Sequence, residues 1–131
     1  MPRLLVVDDD SDTRELFAVA LSFLGFDVTT AGDAVAALAI QAEHDAMVVD
    51  LAMPEMSGIE LIQRIRARES PPVPIVVVTG QGNSGILREA ANVSCAVLTK
   101  PCDVSELVAR LETLIRTCAH DCDACANRQA N

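Results

Sequence analysis

Apolar positions along the chain follow two alternating periods. Leu4-Leu5-Val6-Val7 is a short unbroken apolar run, the signature of a strand buried on both faces. Leu16, Phe17, Ala20, Leu21 and Leu24 then recur at helical spacing on one face, and Gly25 stops that helix. Phe26 to Thr30 reads as a second strand, and Asp33 as the N-cap of a helix through Ala34, Ala37, Leu38 and Gln41. Ala46 to Val49 is a third strand, ending at Asp50. Turn signals at Met53-Pro54 and Ser57-Gly58 lead into a helix that buries Leu61, Ile62 and Ile65 and exposes Arg64, Arg66 and Arg68. Ser70-Pro71-Pro72 ends it, and Pro74 to Val78 is the most β-branched run of the chain. Gly80, Gly82 and Gly85 crowd the start of a helix near Asn83 to Ala91. Ala96-Val97-Leu98 is a short fifth strand, and a last helix starts near Asp103 with Val104, Leu107, Val108, Leu111, Leu114 and Ile115 inward. Strands that each precede a helix require crossover connections and a parallel sheet. The pattern predicts an α/β, doubly wound domain.

Composition narrows the function. At 131 residues and 50% hydrophobic content, the chain suits one domain with a single core. A net charge of −9 argues against direct binding to nucleic acid or an anionic membrane. No apolar run approaches the ~18–20 residues that span a bilayer. Leu4 to Val7 is too short for a signal-peptide core and ends in aspartates, so a cytoplasmic location is expected. Five cysteines, an odd count, make a disulfide framework improbable.

Ligands of open parallel sheets bind beyond the carboxyl ends of the strands. There the first strand delivers Asp8, Asp9 and Asp10, the third Asp50, the fourth Thr79, and the fifth Lys100 followed by Pro101. Taken singly, each has an ordinary reading as a cap, a turn residue or a solvated lysine. Together they are harder to dismiss, because Lys100 is the single lysine of the chain. Clustered carboxylates repel, and a hard divalent cation such as Mg²⁺ relieves them while keeping several waters. A carboxylate held against such an ion can attack phosphorus and become an acyl phosphate. Lys100 and Thr79 would then meet the phosphoryl oxygens. His44 and His120 fall outside this set, as surface residues.

These segments resemble the receiver domain of two-component response regulators, CheY-like. Leu5 to Asp10 with Arg14 is similar to the family's acidic-pair strand, and Asp50-Leu51-Ala52-Met53-Pro54 with Met56 to Leu61 to its phosphoacceptor segment. Val76 to Gly80 and Leu98-Thr99-Lys100-Pro101 resemble the remaining motifs, so the likeness runs from about Leu4 to about Arg116. The resemblance implies a flavodoxin-like sheet of five strands in the order 2-1-3-4-5. It makes Asp50 the phosphoacceptor, and Asp8, Asp9, Asp50 and the backbone carbonyl of Ala52 the ligands of Mg²⁺. Thr79 and Lys100 become the phosphoryl contacts and the switch, with a cis bond before Pro101. The implied partners are a sensor histidine kinase or phosphotransfer protein and a downstream protein target. A signalling switch follows, not an enzyme. The chain departs from the family where an aromatic residue usually stands three positions before the lysine, since that position is Val97. The segment from Thr79 to Lys100 is also about one residue short and lacks the usual Gly-Ala. Valine cannot make the aromatic excursion, so a smaller rearrangement is expected at the fifth strand, or one carried by the Gly80-to-Gly85 loop.

Rival readings fit less well. A haloacid-dehalogenase-type phosphatase would use Asp8 and Asp10 in its Asp-x-Asp pattern, but the length leaves no cap domain and the Met53-Pro54 turn goes unexplained. An EF-hand loop opening at Asp8, Asp10 and Asp12 fails, because its glycine would fall at Thr13 and its glutamate at Val19. A receiver that binds partners without phosphorylation is disfavoured by the complete charged set. The receiver is expected over 1–117, with a cysteine-containing tail over 118–131. There Cys118, Cys122 and Cys125, with His120 between them, have spacing that can hold zinc or an iron–sulfur cluster. The same cysteines continue the apolar stripe of the last helix. A helical extension with reduced thiols, through which a homodimer could form, is the preferred reading.

Overall fold

Consecutive residues of a strand face opposite sides of a sheet, and the apolar runs exploit both sides. Leu5, Val7, Met47, Val49, Ile75 and Val77 line one face, while Leu4, Val6, Val48, Val76, Val78 and Leu98 line the other. The computed structural model describes residues 1–40, 44–53, 56–68, 73–80 and 84–121, without the side chains of Ser84 and 117–121. Strands β1 (Arg3–Val7), β2 (Asp27–Ala31), β3 (Ala46–Val49), β4 (Ile75–Thr79) and β5 (Ala96–Thr99) form one parallel sheet in the order β2-β1-β3-β4-β5. Helices α1 (Ser11–Phe23), α2 (Ala34–Ala39), α3 (Gly58–Arg66), α4 (Ser84–Val93) and α5 (Val104–Asp121) connect and extend them. Phe17 and Leu21 of α1 join Leu107 and Leu111 of α5 on one face. Ala34 and Ala37 of α2, Leu61 and Ile62 of α3, and Ala90 of α4 cover the other. The doubly wound, flavodoxin-like fold is the one expected.

Local chemistry starts and stops the helices. Asp10 caps α1 by accepting from the Asp12 amide at 3.1 Å and the Thr13 hydroxyl at 2.7 Å. Asp33 caps α2 and Ser57 caps α3 in the same way. Asp103 accepts from the Ser105 amide at 2.9 Å just ahead of α5, and the Ser105 bonds hold its carboxyl below the ordinary aspartate range. Gly25, at φ 102°, turns the chain out of α1 in the left-handed region that glycine tolerates.

Two expectations about exposure are corrected. Leu16 and Leu24 do not join the buried face of α1, being 63% and 48% exposed. Phe17 and Leu21 centre the buried stripe, and at 3.6 residues per turn Leu16 stands about 100° away from Phe17. Arg66 is half-buried instead of exposed. Its guanidinium donates to the Val73 carbonyl at 2.7 Å and the Val93 carbonyl at 3.4 Å, and lies 3.5 Å from the Cys95 sulfur. The arginine thus satisfies carbonyls where α3 and α4 end beside the start of β4. Replacing it with alanine strands those carbonyls and is expected to cost about 2 kcal/mol, read as a lower urea midpoint.

Helix α3 ends at Arg66, before the expected Ser70-Pro71-Pro72 stop, which lies outside the described residues. Gln41, Pro54, Gly82, Asn83, Cys122 and Cys125 also lie outside them. Helix α5 continues through Asp121, beyond Cys118 and His120. Among the described residues, no helix is long and apolar enough to cross a membrane.

Candidate functional site

Strand register builds the site. Val7 pairs with Val49, so Asp8 and Asp50, each one residue further on, emerge side by side. Backbone bonds from the Asp50 amide to the Val7 carbonyl, 2.9 Å, and from the Asp8 amide to the Ala31 carbonyl, 3.2 Å, hold those strand ends. Thr79 closes β4 and is fully buried. The Lys100 amide donates to the Thr79 carbonyl at 2.8 Å, and the Lys100–Pro101 peptide is cis.

From the end of β5 the Lys100 side chain reaches past β4 to both carboxylates. Its Nζ lies 2.9 Å from Asp8 Oδ2 and 3.3 Å from Asp50 Oδ2. The remaining oxygens are also engaged: Asp8 Oδ1 accepts from the Asp10 amide at 2.9 Å, and Asp50 Oδ1 from the Ala52 amide at 3.3 Å. Asp8 and Asp50 are buried, whereas Asp9 is exposed. Burial by itself lowers the Lys100 pKa, but the Asp8 hydrogen bond and the charges of Asp50 and Asp8 outweigh it, and the amine is held above the ordinary lysine value. It therefore stays cationic at neutral pH.

One carboxylate oxygen from each of Asp8, Asp9 and Asp50 lies within 4.8 Å of the others. Three hard oxygen donors, one of them open to solvent, fit a small divalent cation that keeps part of its water shell. Asp10 stands apart from this set. Its carboxylate is spent on the α1 cap, and the Thr13 hydroxyl, then the Asp12 amide, hold its pKa below the ordinary value.

Two supporting residues carried no role in the sequence analysis. Arg14 Nη1 donates to the Asp8 carbonyl at 2.9 Å, fixing the backbone of the first carboxylate. It does so over Gly32, where a Cβ would come within 3.0 Å of the same nitrogen. Gly58, first residue of α3, donates its amide to the Leu51 carbonyl at 3.0 Å. A Cβ there would collide with the Asp50 carbonyl and lie 2.8 Å from Leu51 Cα. The signals were the Arg14 spacing after the acidic run and the Ser57-Gly58 pair, but the packing partners of each are distant in sequence.

Residues 4–112 match the response regulator receiver domain. The chain belongs to that family. Receiver domains are signalling modules of two-component systems and partner with histidine kinases. Over 120 residues the chain is 34% identical to the DNA-binding dual master transcriptional regulator RpaA of a Synechocystis species, covering 88% of this chain and 50% of the relative. It is 37% identical over 120 residues to the transcriptional regulatory protein PrrA of Mycobacterium tuberculosis, with 88% and 50% covered. The chain thus spans about half the length of the curated relatives it matches. Among solved structures, the response regulator TrrA of Thermotoga maritima, in complex with Mg²⁺ and BeF, is 27% identical with a TM-score of 0.78. That match covers 87% of this receiver and 99% of TrrA.

Proposed function

We propose that this receiver takes a phosphoryl group onto Asp50 from a histidine kinase or phosphotransfer protein, with Mg²⁺ bound by Asp8, Asp9, Asp50 and the Ala52 carbonyl, and signals through protein contacts. The observation that carries the reading is the Lys100 amine bridging the buried Asp8 and Asp50 carboxylates. A lysine so placed supplies positive charge where phosphoryl oxygens would gather. The TrrA complex with Mg²⁺ and BeF supports the cofactor.

In the proposed transfer, an Asp50 oxygen attacks phosphorus and an acyl phosphate bond forms. The bond to the donor breaks, and its electron pair leaves with the donor's nitrogen or oxygen. Mg²⁺, when bound, neutralises charge on the phosphoryl oxygens and on the clustered carboxylates. Lys100 moves from its carboxylate partners to a phosphoryl oxygen, and Thr79 donates its hydroxyl to another. Val97 packs half-buried against the α2–α3–α4 side of the core, so the accompanying rearrangement at β5 is small. The output is a downstream protein. The tail over 118–131 belongs to this reading as a helical extension with reduced thiols, and DNA contact by this chain alone is not part of it. The proposed location is cytoplasmic.

Incubation with acetyl phosphate and Mg²⁺, followed by intact mass spectrometry, tests the assignment. We expect one added phosphoryl group, absent in Asp50→Asn and reduced without Mg²⁺. Labelling of Asp50→Asn at the unmodified chain's level would overturn it.

A further inference from the structure

The two neighbouring carboxylates after β1 are unequally held. Asp8 is buried and bonded to Lys100 Nζ and to the Asp10 amide. Asp9 is exposed, and among the described residues no donor is bonded to its carboxylate. Its placement therefore falls to the backbone, beginning with the peptide that joins Asp8 to Asp9. Arg14 Nη1 holds the carbonyl of that peptide at 2.9 Å, a charged donor on a neutral acceptor. The arginine is itself anchored at both ends. Its amide donates to the Asp10 carbonyl at 3.0 Å in the first turn of α1. Its guanidinium lies over Gly32, where a Cβ would be 3.0 Å from Nη1 and 3.3 Å from Cζ. Because the Asp8 amide is bonded to the Ala31 carbonyl, the peptides on both sides of Asp8 are fixed.

We propose that Arg14 is a positioning residue for the divalent cation, setting Asp9 relative to Asp8 and so tuning the site for Mg²⁺ over the larger Ca²⁺. The inference rests on the reading of Asp8, Asp9 and Asp50 as metal ligands. Mg²⁺ demands near-ideal octahedral geometry at ~2.0–2.1 Å, whereas Ca²⁺ accepts flexible shells at ~2.3–2.6 Å. An Asp9 free to shift therefore costs the small ion more than the large one. Outer-shell partners of metal ligands are worth about 10–100-fold in affinity, which sets the scale of the effect. Charge works in the opposite direction. The guanidinium is a cation beside the carboxylate cluster, so by Coulomb repulsion alone its removal would tighten the binding of any divalent ion. The sign of the change separates positioning from charge.

NMR titration of backbone amide shifts in the full, unphosphorylated chain, with Mg²⁺ and separately with Ca²⁺, reads both dissociation constants. We expect Arg14→Gln to raise the Mg²⁺ Kd by about tenfold and the Ca²⁺ Kd by less than about threefold. Gly32→Ala keeps the arginine and its charge but crowds Nη1 off the Asp8 carbonyl. It should move the ratio of the two constants in the same direction, by a smaller factor. Circular dichroism and urea midpoints establish that each variant is folded during titration, and if Arg14→Gln does not fold the Gly32→Ala ratio decides. A mere loosening of α1 would lower the midpoint and leave the ratio where it was. An unchanged ratio, or tighter Mg²⁺ binding by Arg14→Gln, would overturn the proposal. Mg²⁺ binding by the unmodified chain would then still leave Asp8, Asp9 and Asp50 as ligands. An unmodified chain that binds no Mg²⁺ would overturn both the proposal and the reading on which it rests.

Discussion

Gly58→Ala is expected to destabilise the fold by about 3 kcal/mol, at the upper end of the usual range for overpacking. The added methyl group would meet the Asp50 carbonyl and Leu51 Cα, both backbone, so no side-chain rotation can accommodate it. Either α3 withdraws from the sheet or the Asp50–Leu51 peptide shifts. The second response displaces the proposed phosphoacceptor itself, and the first breaks the amide bond from Gly58 to the Leu51 carbonyl. The variant should therefore show a lower urea midpoint and slower labelling by acetyl phosphate. Gly80→Ala is the control. A Cβ at Gly80 meets nothing within 4 Å, so that substitution should be neutral or stabilise by up to about 1 kcal/mol through the unfolded chain. A Gly58→Ala variant with an unchanged midpoint would refute the close approach of α3 to Asp50.

Such a contact marks the boundary of what the amino-acid order made legible. Unbroken apolar runs at Leu4–Val7, Ala46–Val49 and Ile75–Val78 can be accommodated only by a sheet covered on both faces, so the architecture followed from them. The strand-end rule then put Asp8, Asp50, Thr79 and Lys100 on one edge, where the register brings them. Periodicity was less informative about the outer surface. It placed an apolar stripe on α1 but not its width, and Leu16 and Leu24 fell outside the buried part. A helix with apolar residues on more than one flank has no pattern to say which flank faces the sheet. Arg66 was read as a solvated charge because the carbonyls it serves, at Val73 and Val93, are brought to it by the fold. The packing roles of Gly58 and Arg14 were not legible for the same reason. Their work is done by proximity to backbone eight and six residues away, and spacing along the chain does not encode that approach.

Lys100→Met should expose the electrostatic design of the site, because it keeps the side chain's bulk and removes its charge. Asp8 and Asp50 would then face each other, buried and without a cation. Removing one partner of a fully buried ion pair costs about 3–5 kcal/mol, and about 2 kcal/mol is expected here because the lysine side chain is 27% exposed. The pH dependence separates this cause from lost packing. In the unmodified chain the Lys100 pKa is raised, so its stabilisation is fully present below the ordinary lysine value and disappears only as pH rises through the higher folded value. Across neutral and mildly acidic pH that contribution is constant. The deficit of the variant should therefore shrink as pH rises through the folded Lys100 value, where the unmodified chain loses the same charge. Mg²⁺ should shrink it too, at neutral pH, by supplying the missing positive charge to Asp8, Asp9 and Asp50. Urea midpoints of the two proteins, at neutral and alkaline pH, and with and without Mg²⁺ at neutral pH, make the measurement. A deficit indifferent to both would mean that Lys100 acts by packing alone, and the bridge would lose its place as the organising interaction of the site.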